Sequence, residues 1–147
     1  MEMILFMGLQ ATGKSSFYRE KFYRTHVRVS LDMLRTRHRQ QLLVDACIVG
    51  ETKFVVDNTN LLREERARFI QPARAAGFRV IGYFFESKVA DALRRNAARP
   101  EEERVPDVAI PGSSNRLQLP SIEEGFDNLY FVRLADGNQF NVENWKS

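Results

Sequence analysis

A stretch of eight residues near the N-terminus has the residue types and spacing needed to bind a phosphate group. Gly8, Gly13, Lys14 and Ser15 match the pattern G-x-x-x-x-G-K-[ST], directly after the apolar run 3–7. Glycines at both ends let the backbone curl around a phosphate, and the N–H groups of the loop and helix start can then donate to it. The lysine would reach the outer phosphates, and the serine hydroxyl would hold Mg²⁺. The motif predicts an ATP-binding P-loop with the nucleotide-binding residues Gly8, Gln10, Ala11, Thr12, Gly13, Lys14, Ser15 and Ser16.

Two acidic residues stand where the next two predicted strands end. Asp32 follows the alternating segment 26–31, and Asp57 ends the apolar segment 53–57. Sites in open α/β sheets form at the carboxyl ends of the strands, so both carboxylates are expected beside the P-loop. Asp57 resembles a Walker B carboxylate and is predicted to hold Mg²⁺ together with Ser15. Asp32 is either the N-cap of the next helix or a general base for phosphoryl transfer, and the nearby P-loop favours the base.

Arginines cluster beside these segments. Arg35 follows Asp32 by three residues, so on a helix start the two share a face, and the arginine can bind a substrate phosphate. Arg95 and Arg99 are four residues apart, which also places them on one helical face. A guanidinium pair of this kind can neutralise the charge on a transferred phosphoryl group. The alternative for both clusters is an ordinary solvated helix face.

The elements that must position these residues alternate between strand and helix. The hydrophobic pattern predicts strands over 3–7, 26–31, 53–57, 78–85 and 129–134, and helices over 14–23, 33–49, 63–76 and from a Ser87 cap past Arg95. This alternation predicts a three-layer α/β/α sandwich around a mainly parallel sheet of five strands. The tail after 137 is expected to form a small hairpin or to pack on the core. A proline-punctuated polar stretch over 100–120 is expected to be a functional or disordered connection with short helical turns.

Length and composition indicate one domain over 1–147. No apolar run approaches the ~18 residues of a membrane span, and the N-terminal run is too short for a signal peptide. We therefore expect a cytoplasmic protein without a membrane partner. The single cysteine, Cys47, excludes an internal disulfide and a multi-cysteine metal site. A net charge of +3 does not by itself indicate nucleic acid as a partner.

Four stretches together resemble the polynucleotide 5′-hydroxyl kinases, a P-loop kinase family that includes the kinase module of bacterial RNA-repair proteins and related predicted stand-alone kinases. The stretches are the P-loop 8–15, the Asp-x-x-Arg segment 30–35, segment 55–61 and the arginine-containing segment 95–106. Segment 124–127 is similar as well. The resemblance implies a P-loop kinase fold with an arginine lid, here over about 94–118.

The resemblance also implies roles for individual residues. The implied catalytic residues are Asp32, as general base, with Lys14, Arg95 and Arg99. The implied substrate-binding residues are Asp32, Arg35, Thr59 and Asn60. Ser15 and Asp57 are implied to bind Mg²⁺. The predicted activity is ATP- and Mg²⁺-dependent phosphorylation of the 5′-OH of RNA or DNA. One alternative is a kinase for a sugar, nucleoside or other small metabolite on the same scaffold. Another is a nucleotide-binding switch or an RNA-binding protein that hydrolyses ATP slowly.

Overall fold

A six-stranded sheet forms the centre of the protein, with strand order β2-β3-β1-β4-β5-β6. The computed structural model describes residues 1–146, so the last position of the predicted 1–147 domain lies outside the described residues. The strands are β1 (Glu2–Met7), β2 (Val27–Val29), β3 (Phe54–Val56), β4 (Arg79–Phe85), β5 (Asn128–Ala135) and β6 (Gln139–Asn144). Strands β1 to β5 are parallel, and β6 runs antiparallel to β5.

Helices connect the strands and cover the sheet. They are α1 (Lys14–Lys21), α2 (Leu31–Leu34), α3 (Arg37–Val49), α4 (Arg63–Ala75), α5 (Val89–Ala98) and α6 (Ala109–Arg116). No helix among residues 1–146 is long and apolar enough to cross a membrane.

The central strand β1 is buried on both faces and divides the core in two. Met3, Leu5 and Met7 pack with apolar side chains of α3 and α4 on one face. Ile4 and Phe6 pack with side chains of α1 on the other face. A strand covered on both sides needs apolar residues at every position, which is why β1 reads as a continuous apolar run. The predicted α/β/α sandwich is confirmed.

The sheet has one strand more than the predicted five. Strand β6 forms the hairpin that was expected as one of two outcomes for the tail, and it pairs with β5 along its whole length. Most of its side chains are exposed, and Phe140 is its half-buried apolar contact. An edge strand with polar side chains carries little hydrophobic periodicity, so the pattern could not identify it.

The segment 100–120, expected to be a connection with short helical turns, contains a short 3₁₀ turn at Glu101–Glu103 and the helix α6. Helices α5 and α6 pack together, and Ile110 of α6 is fully buried with Leu9 of the P-loop and Ala92 of α5. The buried Asn96 amide donates to the Val105 carbonyl at 2.8 Å and accepts from the Val105 N–H at 3.1 Å. These contacts hold the connection against the P-loop, although its polar composition and prolines indicate a loop.

A buried ion pair anchors the next part of the chain. Arg66 of α4 has no exposed surface and binds both carboxylate oxygens of Glu124, at 2.8 and 3.0 Å. Its remaining nitrogen donates to the carbonyls of Asn60, Leu61 and Gln118. This arginine therefore fixes the loop after β3 and the segment that follows α6 to the same helix, and the sequence analysis did not anticipate it.

Candidate active site

The P-loop connects the end of β1 to the start of α1. Gly8 and Gly13 have φ values of 141° and 98°, and Ala11 between them has φ 62°. A Cβ on Gly8 would lie 2.9 Å from the carbonyl oxygen of Phe85, and one on Gly13 would lie 2.9 Å from a ring carbon of Phe140. Both glycines of the motif are thus required by backbone conformation and by close packing, as well as by the approach of a phosphate.

Contacts from three directions hold the loop in place. The N–H of Gly8 donates to the Thr59 carbonyl at 3.0 Å, and the N–H of Leu9 donates to the Ser87 hydroxyl at 3.0 Å. The side-chain amide of Gln10 donates to the Ser113 hydroxyl of α6 at 3.1 Å. The prediction that Ser87 caps α5 is wrong, because the N-cap is Lys88 and the Ser87 hydroxyl is bonded to the P-loop and to the Phe85 carbonyl.

Lys14 is the first residue of α1, and its side chain is buried under the loop. Its ammonium group donates to the carbonyls of Gly8 and Leu9 and to the Thr12 hydroxyl. Burial lowers the pKa of Lys14 from 10.5 to about 8; the charge of Asp57 opposes the shift, that of Arg99 adds to it and that of Asp32 opposes it. The P-loop lysine, both predicted carboxylates and one predicted lid arginine are therefore electrostatic neighbours, as a phosphoryl-transfer site requires.

Ser15 and Asp57 form the predicted cation site. The Ser15 hydroxyl donates to Asp57 Oδ2 at 3.1 Å, and Asp57 is buried at the end of β3. A hydroxyl and a carboxylate suit Mg²⁺, which prefers oxygen ligands and usually takes the rest from water and substrate phosphates. No cluster of three or more His, Cys, Asp or Glu that could hold a metal occurs within residues 1–146, so an all-protein metal cage is not built there. Ser15 and Asp57 could supply two oxygen ligands to such an ion, with water and phosphates completing its coordination.

Arg28 also lies at this cation site, and the sequence analysis missed it. Its Nε donates to Asp57 Oδ2 at 2.9 Å, and its Nη2 donates to the Ser15 hydroxyl at 3.0 Å. Strand β2 pairs with β3 so that Arg28 lies opposite Val55, two residues before Asp57. The alternation of segment 26–31 indicated a strand, but only the pairing of β2 with β3 brings this side chain to the P-loop.

Asp32 lies in the first turn of the short helix α2 and is exposed. The predicted single helix over 33–49 is wrong, because the chain leaves the helical conformation at Arg35, which has φ 76°. A new helix starts after Thr36, whose hydroxyl accepts from the Arg39 N–H at 3.1 Å. Arg35 therefore ends α2 in a left-handed conformation, and does not simply share a helical face with Asp32 as the spacing indicated. A non-glycine residue in this region stores backbone strain, which concentrates at functional sites.

The loop after β3 connects the P-loop to the Asp32 segment. Asn58 accepts from the Leu31 N–H at 2.9 Å and donates to the Gln40 side chain at 2.7 Å. Thr59 holds Gly8 through its carbonyl, and the buried Asn60 amide donates to the Phe6 carbonyl at 2.7 Å. The amide group of Asn60, which was predicted to bind substrate, is thus engaged in positioning this loop.

A cavity of about 160 Å³ opens between α2, α3 and α4, next to this loop. Leu31 and Thr59 form its wall on the P-loop side, Phe69 supplies an apolar surface, and the exposed arginines Arg37 and Arg68 also line it. Most of its lining side chains are polar or charged, so the cavity offers mainly hydrogen-bonding groups and positive charge.

The predicted lid arginines lie on α5 and at its end, and both are half-buried. The charge of Arg99 is close enough to lower the pKa of Lys14. The Arg99 carbonyl accepts from Arg104 Nε at 2.7 Å, which orients the end of the helix. Arg99 is therefore within electrostatic range of the P-loop lysine. Arg95 lies one helical turn before Arg99 on α5.

Residues 3–120 match the model of a family described as an AAA domain. The chain belongs to this AAA domain family. The match starts in β1 and includes the P-loop, Asp32, Asp57 and helices α5 and α6, whereas β5 and β6 follow it. Every residue to which the sequence analysis gave a role in the site lies inside the AAA domain match.

One relative of this AAA domain is the bifunctional polynucleotide phosphatase/kinase of Schizosaccharomyces pombe. The two are 26% identical over 132 residues, which cover 87% of this chain. The aligned region is 32% of the relative's length, so the comparison does not extend to most of that protein. The match confirms the resemblance to polynucleotide kinases.

Kti12 and a gluconokinase are among the solved structures that resemble the AAA domain described here. Kti12 from Chaetomium thermophilum, in complex with ADP-AlF3, has a TM-score of 0.71 at 16% identity, covering 91% of this chain and 90% of that one. A gluconokinase from Sinorhizobium meliloti 1021 has a TM-score of 0.62 at 17% identity, covering 92% of this chain and 83% of that one. Identities this low show the fold alone, and that fold is the P-loop kinase fold.

Proposed function

We propose that the protein transfers the γ-phosphate of ATP, in the presence of Mg²⁺, to the 5′-OH of RNA or DNA. The observation that carries the proposal is the convergence at one sheet edge of a P-loop lysine, the Ser15–Asp57 pair, Arg99 and the exposed Asp32. The polynucleotide phosphatase/kinase relative supports the choice of acceptor.

Each of these groups has a distinct task in the proposed reaction. Asp32 accepts the proton of the acceptor's hydroxyl. The oxygen of that hydroxyl forms a bond to the γ-phosphorus of ATP, and the bond between this phosphorus and the leaving ADP oxygen breaks. Lys14 and Arg99 neutralise charge on the transferred group. Mg²⁺, held by Ser15 and Asp57, would compensate charge on the ATP phosphates.

The acceptor end of the site is the cavity beside Thr59. We infer that the 5′ end of the acceptor enters it, where Gln41 and the exposed arginines Arg37 and Arg68 can donate hydrogen bonds to it. Arg35 at the end of α2 and Arg37 at the start of α3 are exposed, on the same segment as Asp32, where they can bind the acceptor's phosphates. Several phosphate contacts would make acceptor binding sensitive to salt.

The experiment that tests the proposal uses γ-labelled ATP, Mg²⁺ and a panel of acceptors: 5′-OH oligonucleotides of RNA and DNA, nucleosides and common sugars. We expect label on an oligonucleotide 5′ end, lost in Asp32→Asn, while ADP binding is retained. Glu20→Gln, the same carboxylate-to-amide change at an exposed position of α1, is the control and should leave transfer unchanged.

The remaining outcomes are equally decisive. Label on a small molecule alone would identify a metabolite kinase. Free phosphate at one slow rate with every acceptor would identify a nucleotide-hydrolysing switch. Transfer that survives Asp32→Asn would remove the general-base role of this residue.

A further inference from the structure

The guanidinium group of Arg28 lies between the two side chains that would hold Mg²⁺. It donates from Nε to Asp57 Oδ2 at 2.9 Å and from Nη2 to Ser15 Oγ at 3.0 Å. Ser15 Oγ and Asp57 Oδ2 are themselves 3.1 Å apart, so three polar groups meet at one point. Arg28 lies outside the P-loop motif and outside the other segments to which the sequence analysis gave roles. None of the predicted roles therefore accounts for this arginine.

Burial explains why a positive charge is needed there. The Asp57 side chain is 3% exposed and the Arg28 side chain is 28% exposed, so the arginine reaches a buried carboxylate from the surface. An ionised carboxylate without a partner is costly to bury, and a guanidinium with two good hydrogen bonds compensates it. The Arg28 guanidinium also lies over the Tyr18 ring, with its central carbon 5.9 Å from the ring centroid.

Mg²⁺ and this guanidinium compete for the same two oxygens. An oxygen that ligates Mg²⁺ can keep a hydrogen bond on its other lone pair, so geometry alone does not exclude Arg28. A doubly charged ion bound to Ser15 and Asp57 would, however, lie within a few ångströms of the guanidinium, and the two cations repel each other. Mg²⁺ binding at this pair therefore weakens the contacts of Arg28 and favours its departure.

We propose that Arg28 is a resident cation of the site, a positioning residue that holds Ser15 and Asp57 until Mg²⁺ and the nucleotide replace it. This inference rests on the proposed function for the identity of the cation site. Exchange of one cation for another keeps the buried Asp57 compensated in both states. The same exchange makes Arg28 a competitor of Mg²⁺, so that it sets the Mg²⁺ concentration at which nucleotide binds tightly.

The test is isothermal titration of the full chain with ADP over a series of MgCl₂ concentrations. The quantity to compare is the Mg²⁺ concentration at which ADP affinity reaches half of its maximum. In Arg28→Met this concentration should fall roughly ten-fold, because charge-assisted hydrogen bonds from the arginine no longer compete with Mg²⁺ for Ser15 and Asp57. The ADP affinity at saturating Mg²⁺ should stay within two-fold of the wild type, about the accuracy of such comparisons. The nucleotide-free protein should melt at a lower temperature, since Asp57 loses its partner.

Two further variants control for charge and folding. Arg24→Met removes an exposed arginine from the turn before β2 and should leave the Mg²⁺ dependence unchanged. Arg28→Lys keeps the charge without the two-pronged geometry and should lie between wild type and Arg28→Met. Arg28→Lys also provides the measurement if Arg28→Met does not fold.

Three results would overturn the inference. Weaker ADP binding at saturating Mg²⁺ would show that Arg28 contacts the nucleotide. A lower melting temperature with an unchanged Mg²⁺ dependence would show a purely structural ion pair. No ADP binding by the wild type would remove the cation site itself. Failure of the proposed acceptor appears instead in the labelling experiment, because the ADP titration contains no acceptor.

Discussion

The two sides of the candidate site differ in how completely the protein has arranged them. On the nucleotide side, Lys14 and Asp57 are buried, and hydrogen bonds fix both in place. On the proposed acceptor side, Asp32, Arg35 and Arg37 are exposed, and Arg37 lines an open cavity. If the site works as proposed, the groups that bind the nucleotide phosphates are already fixed in the fold. The exposed side chains on the acceptor side would become fixed only when the acceptor binds. Substitutions on the two sides should therefore differ in size and in which kinetic constant they change.

The largest effect is expected at the arginine nearest the transferred group. Arg99→Ala should lower kcat by about 10³, because an arginine that stabilises the transition state of phosphoryl transfer contributes on this order. Arg95→Ala should lower kcat less, because Arg99 is the predicted lid arginine whose charge acts on the pKa of Lys14. Steady-state kinetics and ADP titration measure the two effects.

The control for these arginines is Arg94→Ala, which removes a charge from the same helix at a side chain that is 70% exposed. It should leave kcat unchanged. A loss of ADP affinity in Arg99→Ala with a normal kcat would show that this arginine only contacts the bound nucleotide. It would then have no part in stabilising the transition state.

Lys14→Met should abolish stabilisation by nucleotide. At a nucleotide concentration 100 times Kd, binding stabilises the wild type by about 2.7 kcal/mol, which a thermal melt detects easily. Without the ammonium group the loop loses its contact to the outer phosphates, so the melting shift with ATP and Mg²⁺ should disappear. Lys21→Met, at the exposed end of the same helix, is the matched control, and an undiminished shift in Lys14→Met would refute the P-loop assignment.

The pH dependence of nucleotide binding should follow Lys14. Burial lowers its pKa to about 8 in the free protein, so above pH 8 the side chain is mostly neutral. Phosphates favour the charged form, and binding must then take up a proton, which weakens the affinity by up to about ten-fold for each pH unit above 8. Below pH 8 the lysine is already charged, and this dependence disappears.

Titration calorimetry in two buffers of different ionisation enthalpy measures this proton uptake. We expect uptake of nearly one proton at pH 9 and almost none at pH 7 from this group. Equal heats in both buffers at pH 9 would mean that Lys14 stays protonated despite its burial.

The smallest effect is expected on the exposed acceptor side. Arg37→Ala should raise the KM for an oligonucleotide a few-fold with kcat unchanged, and should reduce the slope of log affinity against log salt by about 0.7, the value for one phosphate of a single strand. Arg79→Ala removes an exposed arginine at the opposite end of the sheet and serves as the control. An unchanged slope of log affinity against log salt in Arg37→Ala would show that this arginine does not bind the acceptor's phosphates.

Prediction from sequence succeeded where the signal is local. The P-loop could be identified because its function depends on consecutive backbone N–H groups, and β1 could be identified because burial on both faces requires an apolar run. The break at Arg35 was missed, since the residues on both sides are compatible with helix and the left-handed φ of 76° has no residue signature at an arginine. The short helical turns expected within 100–120 include α6, but its length and its contact with the P-loop were missed because prolines and polar residues dominate that stretch, while the buried Ile110 holds it.

The sequence by itself determined the phosphate-binding loop, the strand–helix alternation and the two carboxylates at strand ends, because each depends on neighbouring residues. Only the tertiary structure decided which distant side chains meet there. Ser87 holds the P-loop, Arg66 anchors the loop after β3, and Arg28 reaches the cation site. All three depend on strand pairing and helix packing between segments far apart in the chain, and the local pattern of residues carries no information about such contacts.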